Sequence, residues 1–239
     1  MPAGAVASLH RWPVKSLAGE DAQALRLDGR GIAGDRAHAL FDRHKNAPRR
    51  LTVRQAPGML RWRATYPDHP GDALSPADVP LPQVTAPDGT TFAWDDDRLP
   101  AALAADLGRA VTLRRDLALM QDFGDSILVT TRATLEAVST ALARPLDLRR
   151  FRTNIHVVLD AEPYAEERWE GRRLRVGDVV LDLLHPCARC VIPTRDPDTT
   201  VKDAEILRWI TRERAGLFGI NARATSDGRI AVGDAVELL

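Results

Sequence analysis

Cys187 and Cys190 are the only thiols of this 239-residue chain, and both fall in the run His185-Pro186-Cys187-Ala188-Arg189-Cys190. Thiolates are soft ligands and good nucleophiles. A pair at this spacing can bind a metal, exchange electrons as a disulfide, or pack as inert side chains. A structural zinc site takes four ligands. No second Cys-x-x-Cys is present, which leaves His185 and His156 to complete such a set. A thioredoxin-type pair opens a helix after a strand, whereas Pro193 and Asp196-Pro197 follow here and favour a loop. Taken alone, the motif leaves these readings open.

Other segments supply cationic, amide and hydroxyl groups. Val14-Lys15-Ser16-Leu17 sets an ammonium beside a hydroxyl, and Gly34-Asp35-Arg36 follows a glycine-rich turn. Thr52-Val53-Arg54-Gln55 adds a guanidinium and an amide, and Arg150-Phe151-Arg152-Thr153-Asn154-Ile155 runs into a strand pattern. Singly, each has an ordinary structural reading. Lys15 reads as a solvated loop charge, Arg36 as a salt-bridged strand start, Arg152 as an edge-strand charge and Asn154 as a turn former.

The elements that must position these groups are mostly strands. Leu25, Leu27 and Leu40 flank the glycine-rich connection over residues 28–35, and Leu60, Trp62, Ala64 and Tyr66 alternate with polar residues at the period of a half-buried strand. The proline-rich text from Pro67 to Pro87 reads as loop, and Pro87-Asp88-Gly89 as a turn before a short strand. Residues 98–108 suit a short helix. Residues 127–130 suit a buried strand leading to a helix over about 132–142, and 154–159 a further strand. Leu174 and Val176, then Val179, Leu181 and Leu183, alternate around Gly177-Asp178 as a hairpin that leads into the cysteine run. Residues 195–199 form a turn cluster, 204–213 a helix with Ile206, Leu207 and Ile210 on one face, and two closing strands flank Ser226-Asp227-Gly228. Many short strands and few helices predict a mainly β, barrel-containing architecture, with the weakest seam near residues 95–110.

The totals exclude several classes. Hydrophobic residues make up 44% and charged residues 28%, so the chain can bury a substantial core in one large or two small domains. Thirty-three basic residues balance thirty-three acidic ones, which removes net charge as a reason to expect nucleic acid or a membrane surface. Only Lys15, Lys45 and Lys202 are lysines, so the remaining basic groups are forked arginines suited to phosphate or carboxylate. The opening residues lack a basic n-region and a long apolar core, and no run approaches the roughly eighteen apolar residues of a membrane span. The expectation is a cytoplasmic protein with reduced thiols.

In order and spacing these segments, together with Asp196-Pro197-Asp198-Thr199, Leu217-Phe218-Gly219 and Val232-Gly233-Asp234-Ala235-Val236, run over nearly the whole chain. They resemble the MOSC domain proteins (molybdenum cofactor sulfurase C-terminal type) that carry an N-terminal MOSC β-barrel domain. Within that superfamily the chain is most similar to the amidoxime-reducing component family. The resemblance implies a mainly β fold with α+β elements: a β-rich N-terminal domain over 1–100 and a MOSC-type β-barrel over 101–239.

It also implies a molybdenum cofactor (Mo-molybdopterin) whose metal is held by Cys190, the catalytic position. Lys15, Ser16, Arg36, Thr131, Arg132, Arg152 and Asn154 would bind the cofactor, Thr131 and Arg132 at a helix N-terminus that favours an anion. Cys187 would complete the cofactor-binding set as the neighbour of the ligand. At the level of the superfamily only, pyridoxal phosphate binding is implied as well. The implied activity is reduction of N-hydroxylated compounds such as amidoximes and hydroxylamines. The alternative is a non-catalytic cofactor carrier or a cysteine-persulfide sulfur-transfer protein. An iron–sulfur cluster takes four cysteines, so two imply electrons from a separate donor protein, with no nucleic acid or membrane partner. The chain departs from the family pattern at Thr200, often glycine, at Thr153, commonly proline, and in the loose fit of residues 130–132.

Overall fold

The computed structural model describes residues 3–68, 71–117 and 127–239. In chain order the strands and helices are β1 (Ala3–Arg11), β2 (Glu20–Ala22), β3 (Ala24–Asp28), β4 (Gly31–Ile32), β5 (His38–His44), β6 (Ala47–Arg50), β7 (Arg63–Thr65), β8 (Gln83–Thr85), β9 (Thr91–Ala93) and α1 (Leu99–Leu107). There follow β10 (Thr112–Arg115), β11 (Ile127–Thr131), α2 (Arg132–Ala141), β12 (Ile155–Leu159), β13 (Arg173–Val176), β14 (Val179–Ala188), α3 (Ala204–Arg214), β15 (Leu217–Ala224), β16 (Gly228–Ala231) and β17 (Ala235–Leu238).

Seven strands pair in the order β12-β11-β15-β14-β13-β17-β1, and β1 returns to β12 to close a barrel. The β11–β12 pair is parallel, and α2 connects its two strands; the other barrel pairs are antiparallel. Closure follows from the side-chain pattern. Val179, Leu181 and Leu183 of β14 are buried and alternate with partly exposed residues, so one face of the strand is apolar. Val6, Leu9, Val129, Ile155, Val157, Leu174, Ile220 and Val236 supply the same face from other strands. Burying one such branched side chain contributes about 1.5–3 kcal/mol. Closure also removes the free edges that would otherwise invite pairing with another chain.

Three small sheets flank the barrel: β10-β5-β6, β16-β3-β4 and β7-β8-β9. A second core of Val14, Leu17, Leu40, Leu51, Trp62, Val84, Leu99 and Leu103 lies under two of them. Because β1 completes the barrel and β16 pairs with β3, strands from both sides of residue 100 interleave. No helix among the described residues is long and apolar enough to cross a membrane, a statement that does not bear on membrane-spanning strands.

The alternation at Leu60–Tyr66 holds in burial but not as one strand. Pro57–Arg61 forms a 3-10 turn started by its proline, and only Arg63–Thr65 pairs. The expected loop from Pro67 to Pro87 contains β8, drawn into pairing by buried Val84; its residues 69–70 lie outside the described residues. The closing region holds three strands, β15, β16 and β17, where two were expected. Thr200 closes the turn after Asp196 at φ 63°, the left-handed conformation a glycine adopts without strain.

His38 starts β5 in this second core and packs edge-on against Trp94 at 4.8 Å. Burial, then Arg115, pulls its imidazole down to about 3, and burial pulls that of His156 down to about 4. Both depressed values favour the neutral ring in the folded state. Above about pH 6.5 neither state takes up a proton; below it only the unfolded chain does. Stability should therefore fall as pH drops from about 6.5 to about 4, by up to ~1.4 kcal/mol per pH unit for each histidine. Urea unfolding across that window checks the slope, and His38→Phe should make it shallower.

Candidate functional site

One end of the barrel opens on a cleft of about 280 Å³ whose lining includes Lys15, Ser16, Arg36, Arg152, Cys187 and Cys190. These six residues come from four distant stretches of sequence. The barrel's closure is what joins them, because the turn after β1, the connection into β5, the approach to β12 and the end of β14 all reach the same rim.

The first stretch turns sharply after Trp12. The Lys15 amide donates to the His38 carbonyl at 2.9 Å, and Ser16 takes φ 71°. Arg36 takes φ 49°, and its amide donates to the Trp12 carbonyl at 2.7 Å. Arg152 caps the short turn over Leu148–Phe151 at φ 54°. Three non-glycine residues of one cleft thus hold left-handed backbone. Each costs on the order of 1 kcal/mol, an expense that clusters where side chains must be aimed. Gly34 belongs to the same turn at φ 76°, where an added Cβ would stand 2.8 Å from the Tyr66 ring.

Behind the lining, Arg36 pairs with buried Asp35, whose other oxygen accepts from the Trp12 amide at 2.7 Å. Arg36 also donates to Asn154 Oδ1 at 3.1 Å. Arg152 donates to the Leu17 carbonyl at 2.7 Å and lies 4.3 Å over the Trp12 ring. Its Nη2 and the Ser16 hydroxyl are buried without a hydrogen-bond partner among the described residues. Orphaned buried donors are rare and point to a group that a ligand completes.

The charge balance points the same way. Burial, then Arg36, Arg50 and Arg152, pulls the Lys15 amine down to about 7. Burial, then Arg36, pulls the Arg152 guanidinium down to about 9. Asp35 already serves Arg36, so the cleft presents a surplus of cations in a shielded space.

Cys190 stands exposed just beyond β14, and Cys187 is partly buried near the end of that strand. Arg189 Nη1 reaches the Cys187 sulfur at 3.0 Å, and its Nη2 donates to the Phe151 carbonyl at 2.7 Å. Arg189 and Asn221 line the cleft and were missed in the sequence. Arg189 lies between the two cysteines, just past the end of β14, and that adjacency is its signal in the sequence. Asn221 enters only through its pairing with His185 across β14–β15, which no local pattern encodes.

The remaining expected residues lie elsewhere. Asn154 is fully buried behind the cleft and acts through Arg36. Thr131 caps α2 by accepting from the Thr134 amide and donates to Glu166 at 3.2 Å, while Arg132 is exposed. Both stand away from the cleft. Glu166 beside them also accepts from Thr134 Oγ1 at 2.9 Å, and burial pushes its carboxyl above the usual carboxylate range. The zinc set is not assembled either. His156 bonds Thr130 Oγ1 at 2.8 Å in the barrel wall, and among the described residues no three His, Cys, Asp or Glu side chains converge.

Comparison with known proteins agrees with this layout. The MOSC domain model matches residues 117–237 and the MOSC N-terminal beta barrel domain model residues 3–93, so the chain belongs to the MOSC domain family with its N-terminal barrel partner. Among individual proteins it is similar to mitochondrial amidoxime-reducing component 1 of Mus musculus, 32% identical over 144 residues, which is 55% of this chain and 41% of the relative. The human protein of the same name is 33% identical over 125 residues, 47% of this chain and 36% of the relative. The chain thus matches less than half the length of these relatives. The crystal structure of the YUAD protein from Bacillus subtilis shares the fold, with a TM-score of 0.50 at 15% identity, covering 100% of this chain and 96% of that one.

Sulfate, a dianion throughout the neutral range, is a direct probe of the cleft. Its affinity should fall as pH rises through about 7, where Lys15 loses its proton. The loss of one charge-assisted contact should reach about tenfold at pH 8. Titration calorimetry at fixed ionic strength measures it, and Lys15→Met should weaken binding at pH 6 and remove the pH dependence.

Proposed function

We propose that this chain is a molybdenum-cofactor oxidoreductase that reduces N-hydroxylated compounds, amidoximes and hydroxylamines among them, with electrons from a separate donor protein. The observation that carries this reading is the accessible Cys190 thiol on the rim of a cation-lined cleft whose buried donors Ser16 Oγ and Arg152 Nη2 lack partners. The names of the mammalian relatives support the substrate class.

The residues fit a pterin dithiolene phosphate. A single soft thiolate suits a high-valent metal, and Cys190 would supply it. Lys15, Ser16, Arg36 and Arg152 would hold the anionic and heterocyclic parts through ammonium, hydroxyl and guanidinium donors. When bound, the cofactor supplies a metal centre that cycles by two electrons and accepts oxygen from an N–O bond. The chain supplies the rest. Arg189 fixes Cys187 beside the ligand through its N–H···S contact. Lys15, near its midpoint at neutral pH, can give up a proton at Nζ, as reduction of an N–OH group to water requires.

Anaerobically purified protein from a pterin-competent host should carry about one molybdenum per chain. Cys190→Ser should lose the metal and the reduction of benzamidoxime by an artificial reductant, yet keep pterin that fluoresces after oxidation. Arg152→Leu should lose metal and pterin together. A metal-free protein that releases sulfur to cyanide from Cys190 would instead establish the sulfur-transfer role. Pyridoxal phosphate on Lys15 would declare itself by its own absorbance in the same preparation.

A further inference from the structure

Ser8, His10 and Asp21 lie outside the cleft and are joined in a line of hydrogen bonds. Ser8 Oγ meets His10 Nε2 at 2.9 Å, and His10 Nδ1 meets Asp21 Oδ1 at 2.7 Å. An ionised carboxylate only accepts, so Asp21 fixes the proton on Nδ1. The lone pair then lies on Nε2, and the Ser8 hydroxyl must donate to it. That is the arrangement of a nucleophile, a general base and an orienting acid, which is recognised by geometry and roles rather than by chain order.

The sheet builds the line. Ser8 and His10 are two apart on β1 and share a face, and Asp21 is the direct cross-strand partner of His10 in β2. Asn154 clamps the strand there: the His10 amide donates to the Asn154 carbonyl at 2.9 Å, and Asn154 Nδ2 donates to the His10 carbonyl at 3.2 Å. A register shift between Val6 and Ser8 bulges β1 just before the serine, a feature that re-aims side chains beside active sites. His156 stands opposite Ser8 across the β1–β12 ladder, with its ring bonded to Thr130 Oγ1 at 2.8 Å. Ser8 is partly exposed and the Asp21 side chain is 85% exposed, so the line can be reached from solvent.

We propose that Ser8, His10 and Asp21 form a second site that hydrolyses small, activated carboxylic esters by acyl transfer. Ser8 Oγ bonds to the ester carbonyl carbon as its proton passes to His10 Nε2. The bond to the leaving oxygen breaks and that oxygen takes the proton from His10, leaving an acyl-serine. Water attacks the acyl carbon as one of its protons passes to His10, and the bond to Ser8 Oγ then breaks as that oxygen takes the proton back from His10, releasing the acid and free Ser8. No electrons are transferred and no cofactor is needed. The inference is independent of the proposed reductase activity.

The test is hydrolysis of p-nitrophenyl acetate and labelling by a fluorophosphonate, with both thiols first blocked by N-ethylmaleimide. The expected result is one adduct on the Ser8 peptide by mass spectrometry. Ser8→Ala should abolish the adduct, and His10→Gln should lower the rate by about 100-fold or more. Asp21→Asn should lower the rate less, and Ser226→Ala, in an exposed turn, should leave it unchanged. Circular dichroism confirms that each variant is folded. Should a variant unfold, Ser8→Cys keeps the geometry and should react with iodoacetamide faster than Cys187 or Cys190. No adduct at Ser8, or a rate indifferent to Ser8→Ala, overturns the proposal.

Discussion

The arrangement depends on one buried amide. Asn154 is fully buried and bonds in several directions at once. Its side chain accepts from the Leu128 amide and from Arg36, both at 3.1 Å, and donates to the His10 carbonyl. Its backbone amide donates to the Leu128 carbonyl, and its carbonyl accepts from the His10 amide. It therefore joins β1, the start of β12, β11 and the Arg36 turn at one point. Leaving any one of these buried groups unmade costs about 1–3 kcal/mol. The cost would fall where the barrel closes and where the cleft's arginine is aimed. Asn154 reads in sequence as a turn former or a direct ligand; the structure makes it the joint that positions the ligand-facing groups.

A second constraint follows from the first. The same closure forces Lys15, Arg36 and Arg152 together with Asp35 as the buried acid among them. Burying these cations, and then setting them beside one another, opposes folding, which is the physical content of the depressed Lys15 and Arg152 values. Left-handed backbone at Ser16, Arg36 and Arg152 adds strain at the same place. An overall charge of zero conceals this, because the compensating carboxylates lie elsewhere on the surface. A fold that tolerates such a cluster is poised for a bound anion to relieve it.

What was legible in the sequence follows from the range of each interaction. The β14 hairpin, α1, α2 and α3 are set by local alternation, helical spacing and turn residues, and the structure holds them close to the expected bounds. Lys15, Ser16, Arg36, Arg152 and the two cysteines, far apart in sequence, line one cleft. Thr131 and Arg132 lie away from the cleft: Thr131 caps α2 and bonds Glu166, 35 residues away in sequence, and Arg132 is exposed. Asn221 and the Ser8-His10-Asp21 line depend on strand register, which is fixed only once the barrel has closed. Composition could not show them.

Closure also means that chemistry at the two places is mechanically shared. β1 carries Ser8 and His10 on one face and ends at Arg11, followed by Trp12, whose amide holds Asp35 and whose ring lies beneath Arg152. Asn154 contacts the His10 backbone from one side and Arg36 from the other. A change of β1 register by one residue would exchange its two faces, breaking the serine–histidine contact and unseating the cleft's arginines together. The bulge before Ser8 absorbs the mismatch between the β12 and β2 pairings of this strand. Beyond it the chain runs on to Trp12 and into the turn that brings Lys15 to the cleft also lined by Arg36, Arg152 and Cys190.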